Sequence, residues 1–370
     1  MAIIAKFTRT LPAPSATING GFVFLLSAGW FTQANTGAAG SPIDGGTNSL
    51  ANGGGDIKIF SDTATTTQLP IEVVSFVTGG SPVAQVWVRT PSYTAGDTIT
   101  IGKDDTQTVQ PTVGAAFGRD AVYPNSKLVS HQEGQGTSLV DSSGNGTTLT
   151  QINGQSGKVF DLSLVQQVVI NNDSPVVGLV KPYSVSAALK YDGNGTSTGC
   201  VFSPNGQGLS SDNELSLFVQ SGGSLSTQVY RGNGGSKVKS SDSALVSGNT
   251  YFIASDIDAS GNTRLFIDGV LQSGAYFDYW TQKPCIGGGG YGAVGKGTID
   301  GDIYYVDAEL GLLDTNAVTS KYLNQNDPDS FGTSSEYILV GGGGGLTLVV
   351  SSIASLEAFG TPNIRRAQEI

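Results

Sequence analysis

The chain has 370 residues, of which 53 are glycine and only 13% are charged, and its formal net charge is −11. A chain of this length can form two domains that each bury a core. The acidic balance argues against a nucleic-acid partner, because such binding needs clustered Lys and Arg to displace counterions. Polar residues and glycines separate the apolar runs, and no stretch keeps a 3.6-residue period, so the composition predicts strands and turns throughout.

Two further features bear on the compartment. No apolar run approaches the roughly 20 residues of a transmembrane helix. Phe22 to Phe31 could be taken for the apolar centre of a signal peptide, but Pro12 and Pro14 precede it, and we interpret it as a strand. Cys200 and Cys285 are the only cysteines, and both a disulfide and two buried thiols remain open for them. So few cysteines suit a protein that assembles in a reducing cytosol.

The N-terminal part is predicted to be a β-sandwich spanning residues 1–118. Ile3 to Thr10 alternates as a strand does, and Gly20 to Leu26 has the pattern of a buried strand. The segments GGGDIKIFSDTATTTQLPIEVVSF and VAQVWVRTPSYTAGDTITI begin at Gly53 and Val83. They resemble a β-sandwich family of unknown function that commonly lies immediately before laminin-G-like modules. The positions that carry this resemblance are Asp56, Asp62, Leu69, Pro70, Glu72, Trp87, Val88 and Pro91.

The junction, Gly118 to Gly154, resembles the segment that joins this family pair. The matching positions are Val122, His131, Glu133, Asp141, Ser142, Ser143, Gly144, Asn145 and Gly146. Tyr123 stands where the family usually has tryptophan, and Gln132 stands where it usually has leucine. Because His131 is the only histidine, no histidine cluster for zinc can form, and we predict a structural role for it.

Residues 119–334 are predicted to form one jelly roll. Its clearest stretch is NTYFIASDIDASGNTRLFIDGVLQ, from Asn249 to Gln272, in which strand patterns flank a turn cluster. The dipeptide Asp268-Gly269 is typical of tight hairpin turns. This stretch resembles the core of concanavalin-A-like jelly rolls of the laminin-G type, which implies a lectin-like β-sandwich.

One helix is predicted near the end of the jelly roll. Leu313 to Tyr322 has Asp314 or Thr315 as a possible N-cap and Lys321 near its C-terminal dipole. The segment KYLNQNDPDSFG, from Lys321 to Gly332, is similar to the usual tail of the laminin-G module.

An aromatic cluster after the hairpin is the best candidate for a ligand-binding patch. It consists of Tyr276, Asp278, Tyr279 and Trp280, together with the intervening Phe277. Aromatic faces stack on sugar rings, and a neighbouring carboxylate can accept hydrogen bonds from sugar hydroxyls. The alternative, which is more common for such residues, is core packing of alternate positions in a strand.

A calcium site is the only cofactor site that the laminin-G resemblance implies. Asp256, Asp258 and Asp268 would lie at the sheet rim and could help to form it. Calcium takes six to eight oxygen ligands. Aspartates near turns are common, so the leading expectation is a purely structural role for all three and no bound cofactor, with calcium as the alternative.

Catalytic carboxylates must also be sought, because related folds include glycoside hydrolases. Retaining enzymes hold two carboxyl groups about 5 to 5.5 Å apart. The nearest candidates are Asp300, Asp302, Asp307 and Glu309, but the Glu-x-Asp-x-x-Glu order of the jelly-roll glucanases is missing. We therefore predict no catalytic residues and no hydrolysis, with these acids at a solvated sheet edge.

Residues 335–370 are predicted to be an interaction tail. Gly341 to Gly345 precede an uncharged, β-prone run from Leu346 to Ile353, which would invite edge pairing if exposed. The segment IASLEAFGTPNI, from Ile353 to Ile364, resembles a short motif near the ends of bacteriophage virion proteins. The residues expected to make assembly contacts are Leu346, Leu348, Val350, Ile353 and Phe359.

The sequence thus predicts an all-β protein: two antiparallel β-sandwiches, the second a concanavalin-A-like jelly roll, and a C-terminal β-prone extension. The leading hypothesis is a phage virion protein of the tail fibre, tail tip or head surface, made in the host cytoplasm. Its expected partners are other virion proteins, further copies of itself and a host cell-surface glycan, with no nucleic acid and no membrane insertion. A carbohydrate-binding adhesin without a structural role is the alternative, and a polysaccharide hydrolase is less favoured.

Overall fold

The computed structural model describes residues 3–34, 39–131, 138–139, 141–146, 149–152, 159–160, 167–170, 179–193, 199–203, 215–220, 222–231, 235–274, 276–279, 293–296 and 300–340. The first part contains β1 (Ile3–Thr10), β2 (Ile18–Ser27), α1 (Ala28–Thr32), β3 (Ile57–Phe60), β4 (Ile71–Val77), β5 (Val83–Tyr93) and β6 (Thr98–Asp104). A single 3-10 turn at Arg119–Ala121 then leads into the second part.

The second part begins with the strands β7 (Ser126–His131), β8 (Ser138–Leu139), β9 (Leu149–Ile152), β10 (Val159–Phe160), β11 (Gln167–Ile170), β12 (Tyr183–Gly193), β13 (Gly199–Ser203), β14 (Leu215–Val219), β15 (Ser224–Arg231) and β16 (Gly235–Ala244). It continues with β17 (Asn249–Ile257), β18 (Thr263–Ile267), β19 (Val270–Leu271), β20 (Tyr276–Tyr279), β21 (Ala293–Lys296), β22 (Asp300–Leu310), α2 (Thr315–Asn326), β23 (Thr333–Ser334) and β24 (Ile338–Leu339).

The first sandwich packs two antiparallel sheets against each other. One has the order β23-β1-β6-β3, with β24 also paired to β1, and the other has the order β2-β5-β4. The period-2 pattern of β1 explains its position, because Ala5 and Phe7 are buried while Lys6 and Thr8 are partly exposed. Apolar residues from both sheets, from α1 and from the loop after it share one core.

The end of the described chain returns to this first sandwich. Both β23 and β24 pair antiparallel with β1, and Phe331 and Tyr337 are buried in its core. The fully buried Arg9 donates to the Phe331 carbonyl (2.9 Å) and lies over the ring of Trp30. Residues 335–340 of the predicted tail are thus hydrogen-bonded to the first sandwich, and the jelly roll is inserted between β6 and β23.

The jelly roll consists of two larger antiparallel sheets. The seven-stranded sheet has the order β10-β22-β12-β17-β18-β19, with β7 also paired to β22. The nine-stranded sheet has the order β20-β16-β15-β14-β13-β21-β11-β9-β8. Side chains from both sheets meet in one core, including Val185, Leu189, Leu217, Ile253 and Leu265. The prediction of an all-β, antiparallel architecture is confirmed.

The helices agree with the sequence prediction at one site and correct it at another. Asp314 caps α2 as predicted, accepting from the N–H groups of Asn316 (2.7 Å) and Ala317 (3.4 Å). The predicted strand through Phe31 instead ends at Ser27 and turns into α1. Asp329 accepts the Gly29 N–H (3.0 Å), a contact from the far end of the chain that local pattern could not reveal. No helix in the described residues is long and apolar enough to span a membrane.

Candidate functional site

The outer face of the seven-stranded sheet is covered by protein. Phe252, Ala254 and Phe266 lie on this face and form a buried cluster with Leu313 and Val318, which belong to α2 and the turn before it. On its other side α2 contacts the first sandwich, because the Asn324 side chain accepts the Leu25 N–H (2.7 Å) and donates to the Leu25 carbonyl (3.0 Å). The helix therefore fills the space between the two sandwiches.

The rest of this face is covered directly by the first sandwich. The Trp87 ring of β5 stacks on Tyr305 of β22, with centroids 5.0 Å apart and planes at 18°, and on His131 of β7 at 4.9 Å. Trp87 is 2% exposed, and Val122 and Val129 complete the apolar part of the contact. A flat aromatic stack thus closes the sheet where a ligand could otherwise lie.

Glu72 of β4 is the polar centre of the same contact. Its carboxylate accepts from Tyr123 Oη (2.9 Å) and Ser142 Oγ and lies 2.9 Å from His131 Nε2. Burial alone would raise the pKa of Glu72, but the hydrogen bonds from His131, Ser142 and Tyr123 outweigh burial and hold that pKa below its ordinary value. Three side chains of the junction motif therefore converge on one carboxylate of the first sandwich.

The acids of β22 are used in this interface as well. Tyr305 Oη donates to Asp307 (3.0 Å), and Lys321 of α2 lies 3.9 Å from Asp307 and 3.1 Å from Glu309. Burial, reinforced by the neighbouring Glu309, raises the pKa of Asp307 to about 7, although Lys321 opposes the shift. Asp307 lies under the helix rather than at a solvated edge, and the side chains of Asp300 and Asp302 are outside the described part.

The three aspartates of the predicted calcium site serve three separate local structures. Asp256 accepts Arg264 Nε (3.1 Å) and the Leu313 N–H (3.0 Å), so it joins β17, β18 and the turn before α2. Asp258 closes its own turn, and its hydrogen bonds with the Asn262 side chain and backbone lower its pKa.

Asp268 has a positive φ of 50° in the predicted hairpin turn and accepts the Phe252 N–H (2.8 Å). Burial raises the pKa of Asp268. Within the described residues no group of three or more His, Cys, Asp or Glu side chains could hold a metal ion. The described part of the chain therefore contains no cluster of ligands that supports the calcium prediction.

The predicted aromatic patch lies at the edge of the other sheet. Tyr276, Asp278 and Tyr279 belong to β20, the edge strand of the nine-stranded sheet, which pairs with β16. The register sets Asp278 opposite Lys237 and Tyr276 opposite Lys239. Trp280 lies outside the described residues, and a role of the patch in binding stays a prediction.

Other predicted positions also fall beyond the described chain. Cys200 lies in β13 opposite Phe218, whereas Cys285 is outside the described residues, so their pairing stays open. The predicted assembly contacts Leu346, Leu348, Val350, Ile353 and Phe359 are outside as well.

Sequence reasoning missed the network around Glu72, although it had singled out most of its members. Glu72, Trp87 and Ser142 entered only as positions that carry a family resemblance, and His131 entered with a structural role but without a partner. The available signal was the presence of polar residues inside otherwise buried strands. Buried polar groups require hydrogen-bond partners. Which residues those partners are could not be inferred, because Glu72 and His131 are 59 positions apart.

Residues 165–326 match the model of a protein family described as the concanavalin A-like lectin/glucanases superfamily. This part of the chain is a concanavalin-A-like domain. The match confirms the predicted resemblance for the jelly roll. No curated protein sequence matches the chain.

Solved structures match parts of this chain at low similarity. Domain 4 of AbnA, an extracellular arabinanase from Geobacillus stearothermophilus, in complex with arabinotriose, is 18% identical with a TM-score of 0.37, covering 54% of this chain and 98% of that one. The botulinum neurotoxin serotype D ligand-binding domain in complex with N-acetylneuraminic acid is 15% identical, with a TM-score of 0.37 and coverages of 56% and 53%. A leech intramolecular trans-sialidase is 16% identical, with a TM-score of 0.29.

The coverage of these structures is uneven. The matched part spans 38% of this chain but only 23% of the leech enzyme. At such TM-scores the similarity gives no information about the ligand of this chain.

Proposed function

We propose that the jelly roll is a glycan-binding module and that it binds on the side of its nine-stranded sheet. The observation that carries this proposal is the match of residues 165–326 to a lectin/glucanase superfamily. The outer face of the seven-stranded sheet is occupied by α2 and Trp87, which leaves the opposite side. The predicted aromatic patch, Tyr276 to Trp280, begins in the edge strand on that side.

The module binds glycans without cleaving them. Asp307 and Glu309 are engaged by Tyr305 and Lys321 inside the interface, so this pair cannot flank a glycosidic bond. A reducing-sugar assay on bacterial surface polysaccharides checks this point. Release of reducing ends by the wild-type chain and not by Asp302→Asn would contradict it.

A glycan array with the full chain tests the binding proposal. We expect the wild-type chain to bind a subset of glycans and the double variant Tyr276→Ala/Tyr279→Ala to lose at least tenfold in affinity, because stacking surface is removed. Phe117→Ala is the control, since it removes an exposed aromatic side chain from the first sandwich. No binding to any bacterial surface glycan, or equal loss in the control, would refute the proposal.

A second, compatible function is that of a surface protein of a phage virion, in the tail or on the head. The resemblance of Ile353 to Ile364 to a short motif near the ends of bacteriophage virion proteins supports it. Such a protein would be made in the host cytoplasm and would assemble with other virion proteins and with copies of itself. Peptides of this chain in purified particles would support the role, and their consistent absence would contradict it.

A further inference from the structure

A lysine and two carboxyl groups meet under α2, beside the ring of Tyr305. Lys321 Nζ lies 3.1 Å from Glu309 Oε1 and 3.9 Å from Asp307 Oδ2. The side chains of Asp307 and Lys321 are only 4% and 11% exposed, whereas that of Glu309 is 28% exposed. The amine and the Asp307 carboxyl group are therefore held side by side where little water reaches them.

Asp307 is the carboxyl group that an amine can attack. A protonated carboxyl group accepts a nucleophile more readily than a carboxylate does, because the negative charge of a carboxylate repels the attacking electron pair. Burial, reinforced by Glu309, raises the pKa of Asp307 to about 7, so many chains carry its acid form near neutral pH. Tyr305 Oη donates to Asp307 Oδ2 (3.0 Å) and can stabilise negative charge that develops on this oxygen.

Glu309 is placed to take a proton from Lys321. Burial disfavours the charge of Lys321, but Glu309 and Asp307 outweigh burial and raise the pKa of the amine. The ammonium group must therefore lose a proton before its nitrogen can react. Glu309 accepts a hydrogen bond from Nζ (3.1 Å), which is the reach that a general base requires.

We propose that Lys321 and Asp307 form an intramolecular isopeptide bond, which ties α2 covalently to β22. Glu309 removes one ammonium proton, and the neutral Nζ attacks Cγ of Asp307, so that an N–C bond forms and an electron pair moves onto Oδ2. Glu309 delivers its proton to the Oδ1 hydroxyl, which leaves as water when the C–O bond breaks. Glu309 then holds the second nitrogen proton, and the amide nitrogen keeps the third. No atom is oxidised or reduced.

Proximity favours this reaction, although a free acid and a free amine do not condense in water. Groups that are held in reacting geometry reach effective molarities of about 10⁵ to 10⁸ M. Since Cγ is bonded directly to Oδ2, a rotation of the lysine side chain brings Nζ to it. The product replaces buried charges by a neutral amide, which removes the cost of keeping those charges away from water.

A second lysine–aspartate pair shows why contact alone is not sufficient. Lys58 contacts Asp104, whose side chain is fully buried. Burial raises the pKa of Asp104, but hydrogen bonds from Lys58 and Thr106 outweigh burial and lower that pKa to about 2. Asp104 therefore remains a carboxylate at neutral pH, and we expect no covalent bond at this pair.

The mass of the purified full chain, measured after denaturation, tests the proposal. We expect it to be lower by one water than the sequence requires. Trypsin should fail to cleave after Lys321, so that one peptide from Gly297 to Arg365 replaces two, whereas cleavage after Lys58 should be normal. Complete cleavage after Lys321, even after prolonged incubation at neutral pH, would overturn the proposal whatever the total mass.

Variants identify the reacting groups. Lys321→Arg keeps the charge but removes the amine, so it should keep the full sequence mass. Glu309→Gln removes the proton acceptor, and its linked fraction should be at least tenfold lower than that of wild type at equal times. Lys190→Arg is the matched control, because Lys190 pairs with Asp192 (2.8 Å) at side-chain exposures of 36% and 32%, and it should lose water as wild type does.

A loss of water that persists in Lys321→Arg, or an unchanged linked fraction in Glu309→Gln, would refute this chemistry. Before the bond forms, Asp307 has a free carboxyl group, and the same mass spectrum gives the fraction of chains in that state. Neither result bears on glycan binding, which the array tests separately.

Discussion

The two sheets of the jelly roll have different surroundings. The outer face of the seven-stranded sheet is closed by a helix, an aromatic stack and a buried carboxylate, all tied to the first sandwich. The nine-stranded sheet ends at β20, where the predicted ligand patch begins. One sheet of the jelly roll therefore serves internal structure, and we propose that the other sheet serves recognition. Acidic side chains on a lectin-like sheet therefore indicate function only if the face of the sheet that carries them is open to solvent.

The aromatic stack should make the largest contribution to closing the covered face. Trp87→Ala removes a ring that is 2% exposed and leaves a cavity between the sandwiches. We expect a loss of about 3–5 kcal/mol in the free energy of unfolding, measured by urea denaturation. Val83→Ala, at a 48% exposed position of the same strand, should cost less than about 0.5 kcal/mol. Similar losses for the two variants would show that the face is open.

Removal of the central carboxylate should have the next largest effect. Glu72→Ala leaves Tyr123, His131 and Ser142 without their common acceptor, which should cost roughly 3 kcal/mol near neutral pH. Because the folded-state pKa of Glu72 lies below its ordinary value, its stabilisation is present above that value and disappears as the pH falls through the folded-state pKa. The difference between wild type and variant should therefore shrink in acid, and a pH-independent difference would contradict this role.

Asp307 should have the opposite pH dependence. The folded-state pKa of Asp307 is raised to about 7. Between the ordinary aspartate pKa and pH 7 the folded chain therefore binds one more proton than the unfolded chain. The free energy of unfolding falls as the pH rises through that window. Asp307→Asn should remove this fall and be more stable than wild type at pH 8 by roughly 2 kcal/mol. Unfolding experiments at pH 5 and pH 8 measure it. A variant that is relatively more stable at pH 5 would reverse the sign and contradict the account.

The link between α2 and the first sandwich should have a smaller effect. Asn324→Ala removes two hydrogen bonds to Leu25 and should cost about 1–2 kcal/mol. Leu323→Ala on the same helix, at a 51% exposed position, is the control. Equal thermal unfolding temperatures for the two variants would mean that the helix is not held from both sides.

Within the described residues local pattern predicted the strand β1 and the helix α2, whereas the strand expected through Phe31 ends at Ser27. The alternation of β1, the Asp268-Gly269 turn and the Asp314 cap are all short-range features, and the structure contains each of them. The closed face could not be predicted, since Asn324 and Leu25 are 299 positions apart. For the same reason the acids of β22 were placed at a solvated edge, whereas Asp307 is 3% exposed.

Hydrogen–deuterium exchange tests the central claim most directly. The full chain is measured with and without the glycan that binds most strongly on the array. Binding should slow exchange in peptides that cover β16 and β20 and leave those of β17 and β22 unchanged, because the latter face is filled by the protein itself. Slower exchange in β17 and β22, with no change in β16 and β20, would contradict the claim, because it would place the ligand on the covered face of the seven-stranded sheet.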